Sequence, residues 1–346
     1  MSKATKVRWG ILSTADIGMT KVTPAIMKSE HCEVTAICSR DLARARSAAD
    51  KLGIEKAYGT YEEMLADPEI DAIYNPLPNH RHVEMTIAAN AAGKHVLCEK
   101  PIALSAQEAK LLRGCRSDAL IMEGFMVRFH AQWLRAREIA RSGELGDVRA
   151  VRAVFSYFND DPDNVRNMAE IGGGAILDIG CYPVTGGRFF FECEPERVIA
   201  LIDRDPRFGT DRQASVIADF GKGRQLVFLV STQLVNSQSI EIFGTKGRVE
   251  IVIPYNAPQD EATALIIDQG LTYDGYMSRR EILAPSDQYT EMANAFALAV
   301  LGKAECDYGI EDAINSMHVL DAIFESERTG TWGQVEKGER TGMEPI

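Results

Sequence analysis

The first 125 residues alternate short β-rich runs with helical stretches, and that alternation limits what the chain can fold into more than any other feature. Runs at 7–12, 34–39, 70–77, 95–98 and 119–124 read as strands. Helical patterns follow to about residue 28, over 42–52, over about 80–92, and after Ser105, where Ser105-Ala-Gln-Glu108 has the form of a capping box. Parallel neighbours need a crossover, and the intervening helices supply it. This half predicts an α/β fold with a doubly wound parallel sheet.

The remainder is patterned differently. Residues 148–158 alternate with period two, placing Val151, Ala153 and Phe155 on one face and Arg152 and Ser156 on the other. Strand-like runs follow at 197–202, 215–220, 225–230 and 240–243, the last joined through Gly244-Thr-Lys-Gly247 to 248–253 as a hairpin. Consecutive strands without helices between them predict an α+β domain with a large open, mainly antiparallel sheet. Helical patterns return near 288–301 and 311–328. The 346 residues suffice for two domains, expected at 1–125 and 126–346. A broad sheet face without covering helices seeks a partner, which predicts a homodimer or homotetramer.

Charge and cysteine content narrow the setting. A net charge of −12 argues against a nucleic-acid or anionic-membrane surface, though not against a local basic pocket. No run approaches the ~18 apolar residues of a membrane helix, and no charged-then-apolar leader opens the sequence. The seven cysteines are odd in number and form no C-x-x-C pair. Cys38 and Cys98 lie inside apolar runs, so buried reduced thiols in a cytoplasmic protein are expected.

Four places carry chemistry. The turn Gly10-Ile-Leu-Ser-Thr-Ala15 follows the first strand and matches the first and third positions of G-x-G-x-x-G/A, with Leu12 where the second glycine would stand. The following helix N-terminus, with the hydroxyls of Ser13 and Thr14, suits a pyrophosphate. Strand two closes on Cys38-Ser39-Arg40. Ser39, Arg40 and Arg44 suit a ribose 2′-phosphate, and despite Asp41 they favour NADP over NAD. Pro76 and Pro78 open a loop at a strand end, and Glu99-Lys100-Pro101 stands at the next, where Lys100 can enter the same crevice. His80 and His82 have no further ligand at metal spacing, so no metal is expected. Finally, Gly172-Gly-Gly174 precedes a helical segment on which Asp178 and Tyr182, at i and i+4, share a face.

Together these segments resemble the glucose–fructose oxidoreductase / inositol dehydrogenase family of pyridine-nucleotide oxidoreductases. The resemblance rests on Gly10…Ala15, Asn75-Pro-Leu-Pro-Asn79 with His82, Ala92-Gly-Lys-His-Val-Leu-Cys-Glu-Lys-Pro101, Glu123-Gly-Phe-Met-Val-Arg-Phe-His130, and the element from Gly172 through Asp178 to Tyr182. Tyrosine at 182 is similar to the branch holding aldose dehydrogenases and dimeric dihydrodiol dehydrogenase. The resemblance implies a Rossmann domain followed by an open-sheet domain, with Leu77, Asn79, His82, Glu99 and Lys100 joining the cofactor contacts. It implies Tyr182 as acid/base, Lys100 as the cation favouring its phenolate, Asp178 on a neighbouring hydroxyl, and Arg166 and His130 as substrate contacts. The implied reaction is hydride transfer between NADP and a carbohydrate, with oxidation of an aldose at C1 to its lactone in front. Keto-sugar reduction or trans-dihydrodiol oxidation would use the same residues. A non-catalytic NADP-binding regulator is disfavoured because Lys100 and Tyr182 are both present. An oxidoreductase that recycles retained NADP between two sugars is disfavoured by the short segment before strand one.

Overall fold

Six short strands pair side by side, all parallel: β1 (Val7–Ile11), β2 (Cys32–Cys38), β3 (Lys56–Tyr58), β4 (Ala72–Asn75), β5 (His95–Cys98) and β6 (Ile121–Glu123). Their spatial order is β3-β2-β1-β4-β5-β6, so connectivity reverses between β1 and β4, the place where doubly wound sheets bind nucleotides. The structure, a computed structural model, describes residues 5–336 and 338. The ends of both expected domains, 1–4, 337 and 339–346, lie outside the described residues.

Strands covered on both faces read as unbroken apolar runs, and here Trp9, Ile11, Ala72, Ile73 and Tyr74 are fully buried. Gly10 sits within β1, where an added Cβ would stand 3.1 Å from both Ile70 and Ile73. Its smallness therefore serves strand packing.

The chain divides into two compact units: residues up to Met126 together with Tyr289–Ala313, and Val127–Gln288 together with residues from Ile314 onward. A late segment thus returns to complete the first unit, which an uninterrupted domain over 126–346 does not foresee. The helix Gln288–Val300 sets Phe296 against Trp9 at 4.9 Å. Ser29 donates to Asn294 at 2.6 Å, and Thr290 donates to the carbonyl of Ala25 at 3.1 Å.

In the second unit nine strands form one sheet. They are β7 (Val148–Phe158), β8 (Arg197–Arg204), β9 (Asp211–Asp219), β10 (Gln225–Ser231), β11 (Gln233–Gly244), β12 (Arg248–Ile251), β13 (Thr263–Asp268), β14 (Arg279–Leu283) and β15 (Gly333–Gln334). The order is β14-β13-β12-β11-β7-β10-β9-β8-β15, antiparallel except where β7 runs parallel to β10. Val151, Ala153 and Phe155 face inward with Leu226, Phe228, Ile240 and Ile242, all buried. Against them lie the helices Ala131–Arg141 and Cys181–Phe191. Trp133 packs on Phe189 and Phe190 at 5.5 and 5.3 Å, and its indole N–H donates to the carbonyl of Pro254 at 2.8 Å. On the opposite face Leu201, Ile217 and Val227 are exposed, with Ile217 directly across the ladder from Val227.

Candidate active site

In the first unit the turn after β1, the loop after β4 and the residues after β5 all stand at the carboxyl edge of adjacent strands. Leu12, at the position a glycine takes in the fingerprint, is completely buried, and its N–H donates to the carbonyl of Tyr74 at 3.0 Å. Its side chain belongs to the core, so its bulk does not crowd the turn. Ser13 Oγ accepts from the N–H of Ala15 at 3.1 Å. The N–H groups of Ser13 and Thr14 have no acceptor among the described residues, and they head a helical stretch over 16–28. Unsatisfied amides at a helix start are what a pyrophosphate requires, so these residues fit a dinucleotide.

At the end of β2, Asp41 caps the helix Leu42–Leu52, accepting from the N–H groups of Ala43 and Arg44 at 2.8 and 3.2 Å. The Asp41 carboxylate is therefore committed to the backbone, whereas the side chains of Arg40 and Arg44 are exposed. Ser39, half-buried, accepts the N–H of Asp41 on its hydroxyl at 3.3 Å. A 2′-phosphate suits this set better than a 2′-hydroxyl.

His82 lies fully buried, with Nδ1 2.7 Å from the carbonyl of Pro101 and Nε2 2.6 Å from that of Leu77. Burial holds its pKa down to about 4. Both ring nitrogens face backbone carbonyls, and the neutral ring donates its single N–H to one of them, so His82 packs between the Leu77 loop and the Lys100–Pro101 segment and turns neither nitrogen to a ligand. Leu77 is buried, and its N–H donates to Asn75 Oδ1 at 3.3 Å; Asn79 is half-buried and opens a short 3₁₀ turn. Glu99 accepts from the phenol of the buried Tyr74 at 2.7 Å, and Glu123 accepts the N–H of Ile102 at 2.7 Å. These two bonds fix the backbone on either side of the half-buried Lys100.

In the second unit a π turn, Ile176–Gly180, runs directly into the helix Cys181–Phe191. Asp178 lies on the turn and Tyr182 in the first helical turn after it, and π turns of this kind concentrate at functional sites. Asp178 Oδ2 accepts from Arg166 Nε at 2.9 Å and from the phenol of Tyr157 at 2.6 Å. The carboxylate first of all, then Tyr157 and Tyr182, hold the Arg166 guanidinium firmly charged despite desolvation. Burial and the Asp178 charge push the Tyr157 phenol well up, so it stays a donor. Tyr182 is buried, edge-on to Phe155 at 5.7 Å and tilted on Tyr255 at 5.3 Å, which fixes its ring.

The three glycines bring Arg166 to Asp178. The N–H groups of Gly173 and Gly174 donate to the carbonyls of Met168 and Arg166, each at 2.9 Å. A Cβ on Gly173 would stand 2.6 Å from the Arg166 carbonyl, and Gly172 and Gly174 have φ of +85° and +120°. His130 is placed differently from a substrate contact. It is fully buried, and its Nδ1 accepts the N–H of Gln132 at 3.1 Å as the cap of the helix Ala131–Arg141, with its pKa held down to about 4 by burial.

Sequence reasoning passed over Tyr157 and Tyr74. Tyr157 continues the inward parity of Val151, Ala153 and Phe155, and a phenol at the open end of an inward-facing row was the available signal. Tyr74 is hidden inside an apolar run.

Comparison with known proteins agrees with this geometry. Residues 7–117 match the profile described as the oxidoreductase family, NAD-binding Rossmann fold, and 133–250 match the GFO/IDH/MocA C-terminal domain. An uncharacterized oxidoreductase of Rhizobium meliloti is 44% identical, covering 95% of this chain and 99% of that protein. A D-xylose 1-dehydrogenase (NADP(+)) of Haloferax volcanii is 39% identical, covering 93% and 98%. The crystal structure of a 3-ketoreductase from Actinomadura kijaniata in complex with NADP and TDP-benzene superposes with a TM-score of 0.86 at 27% identity, over 93% of this chain and 98% of that one.

Proposed function

The chain belongs to the GFO/IDH/MocA family of oxidoreductases, matching its nucleotide-binding and C-terminal parts in turn, and from that premise we propose that it is an NADP-dependent dehydrogenase oxidising an aldose at C1 to its lactone. The observation that carries the reading is the Asp178 cluster: one carboxylate bonded by a guanidinium and a phenol beside a fixed tyrosine. Such a set recognises vicinal hydroxyls. The similarity to a D-xylose 1-dehydrogenase supports the aldose, and the commitment of Asp41 to its helix cap supports NADP.

Ser13, Thr14, Ser39, Arg40 and Arg44 hold the nucleotide, with Gly10 and Ala15 bounding the turn and Asn79 and Glu99 at the neighbouring strand ends. When bound, NADP+ would supply the hydride acceptor for the sugar carbon. Tyr182 takes the proton of the reacting hydroxyl, and Lys100 is the cation that the family resemblance implies for this chemistry. Asp178 binds an adjacent hydroxyl, and Arg166 keeps that carboxylate ionised and aimed. Reduction of a keto-sugar runs the same steps in reverse, a second reading favoured by the match to a 3-ketoreductase. The exposed row Leu201, Ile217 and Val227 supports a homo-oligomer joined through the open sheet, and seven cysteines outside disulfides suit a reducing cytoplasm.

The test is a screen of NADP+ reduction over aldoses beginning with D-xylose, then inositols and diols, with NAD+ in parallel. In Tyr182→Phe, NADPH binding followed by fluorescence should persist while turnover falls by about 10²-fold or more. Turnover at the wild-type rate would remove Tyr182 from the chemistry.

A further inference from the structure

Thirty-five residues beyond Ile176, at the first position of β9, stands an acidic side chain that the reaction above does not use. Asp211 is 2% exposed, and its Oδ2 accepts the N–H of Ile176 at 2.6 Å. Its other oxygen lies so close to Gly174 that a Cβ there would stand 2.0 Å away. The third glycine of the run and this carboxylate therefore interlock. Together they fix the backbone at the point where the π turn begins, two residues before Asp178 and six before Tyr182.

We infer that Asp211 is a positioning residue for the reaction: acting through Ile176, its carboxylate sets the register of the π turn and so presents Asp178 and Tyr182 together to substrate. This rests on the dehydrogenase reading, which makes Tyr182 the acid/base.

The electrostatics point the same way. Burial pushes the Asp211 carboxyl up to about 7, against the Ile176 amide and the Arg204 guanidinium, which lower it. Arg204 is itself paired with Glu327 at 2.6 Å, and Glu327 raises the Asp211 carboxyl. An ionised acceptor binds an amide more strongly than a neutral acid does. The clamp therefore tightens as pH rises through about 7. Stability runs the other way. A carboxyl whose folded pKa is raised contributes stability at low pH and loses it as pH rises from the unfolded value toward 7. The chain thus keeps a buried charge that weakens the fold in the range where it holds the site.

The experiment needs no known substrate for its first arm. Hydrogen exchange of the Ile176 amide in the intact protein, corrected for base catalysis, should show protection stepping up through about pH 7. Asp211→Asn, which keeps an acceptor but cannot ionise, should lack the step. A flat wild-type profile, or the same step in the variant, overturns the inference. In the second arm, kcat is measured against pH with NADP+ and the fastest aldose of the screen. Asp211→Asn should lose the ascending limb near pH 7, with kcat at pH 8 about tenfold lower, the scale of a slightly misplaced reacting group. KM should move little, and the melting temperature at pH 8 should be equal or higher. An unaltered kcat profile, or a kcat loss that tracks a lower melting temperature, also overturns it. Tyr182→Phe run alongside separates the two failures. If that variant turns over normally, the acid/base reading of Tyr182 falls, and an absence of NADP+ reduction with every substrate of the screen fells the dehydrogenase reading itself; if Tyr182→Phe is inactive while Asp211→Asn behaves as wild type, only the positioning role falls.

Discussion

Arg166 donates from Nε to Asp178 Oδ2 at 2.9 Å across twelve residues of chain. The pair exists because three glycines let the intervening loop close on itself, so the guanidinium is a built component of the site. Arg166→Ala takes the guanidinium away from the carboxylate and keeps the Tyr157 phenol on it. The Arg166 side chain is 45% exposed, which discounts the pair's strength. We expect KM for the sugar to rise about tenfold, or about 1.4 kcal/mol, with KM for NADP+ unchanged. Steady-state kinetics decide it, and an unchanged sugar KM would place Arg166 outside the binding site.

Tyr157→Phe removes the phenol that donates to Asp178 at 2.6 Å. One hydrogen bond to a charged acceptor contributes about 1.5–3 kcal/mol, so kcat/KM should fall by about tenfold or more. The ring stays in place, so urea unfolding should shift by no more than about that energy. Loss of stability without loss of kcat/KM would make Tyr157 a packing residue only.

At the nucleotide end, the double substitution Arg40→Ala with Arg44→Ala should raise KM for NADP+ by about tenfold or more while sparing NAD+, because two cations facing a 2′-phosphate are lost. Asp41→Ala is the contrasting variant. It removes a helix cap at a cost of about 1 kcal/mol and should leave the NADP+/NAD+ preference where it was. A swing toward NADP+ in Asp41→Ala would show that the carboxylate also faces the ribose.

Acid should unfold the protein through its buried imidazoles. His82 and His130 have folded pKa values lowered to about 4 from 6.5, so the unfolded chain binds more protons between those values. Each contributes stability that is present above pH 6.5 and lost as pH falls toward 4, about 3 kcal/mol apiece. His130→Asn retains a capping acceptor and removes one titrating ring. The dependence of unfolding free energy on pH between about 4.5 and 6 should then flatten by nearly one proton. An unchanged slope would mean that the ring already titrates normally.

Much of this arrangement was legible in the residues. Both sheets were readable because burial on two faces produces unbroken apolar runs, as in β4, and burial on one face produces alternation, as in β7. β3 escaped because Lys56-Ala-Tyr58 is a half-buried edge with neither pattern. β13 and β14 fell outside the runs read as strands, since their pairing is set by neighbours distant in sequence. Asp178 and Tyr182 were singled out by spacing and Lys100 by its place at a strand end, and their roles stay proposals. Asp211 was not singled out, since a lone acid opening a strand acquires meaning only from the amide it meets. His82 and His130 looked like ligand-facing groups because a histidine's sequence context does not reveal whether its nitrogens meet carbonyls or solvent.

The return of Tyr289–Ala313 to the first unit bears on how the protein matures on the ribosome. Domains emerging from synthesis ordinarily fold in order, the N-terminal one first. Here Trp9 waits for Phe296, and Ser29 for Asn294, so the nucleotide-binding unit cannot close until residues 289–313 have been made. A nascent chain truncated after Met126 would carry the complete parallel sheet with an uncovered apolar flank. The coenzyme-binding half is therefore a late product of translation, and no single cut can transplant it intact into another enzyme.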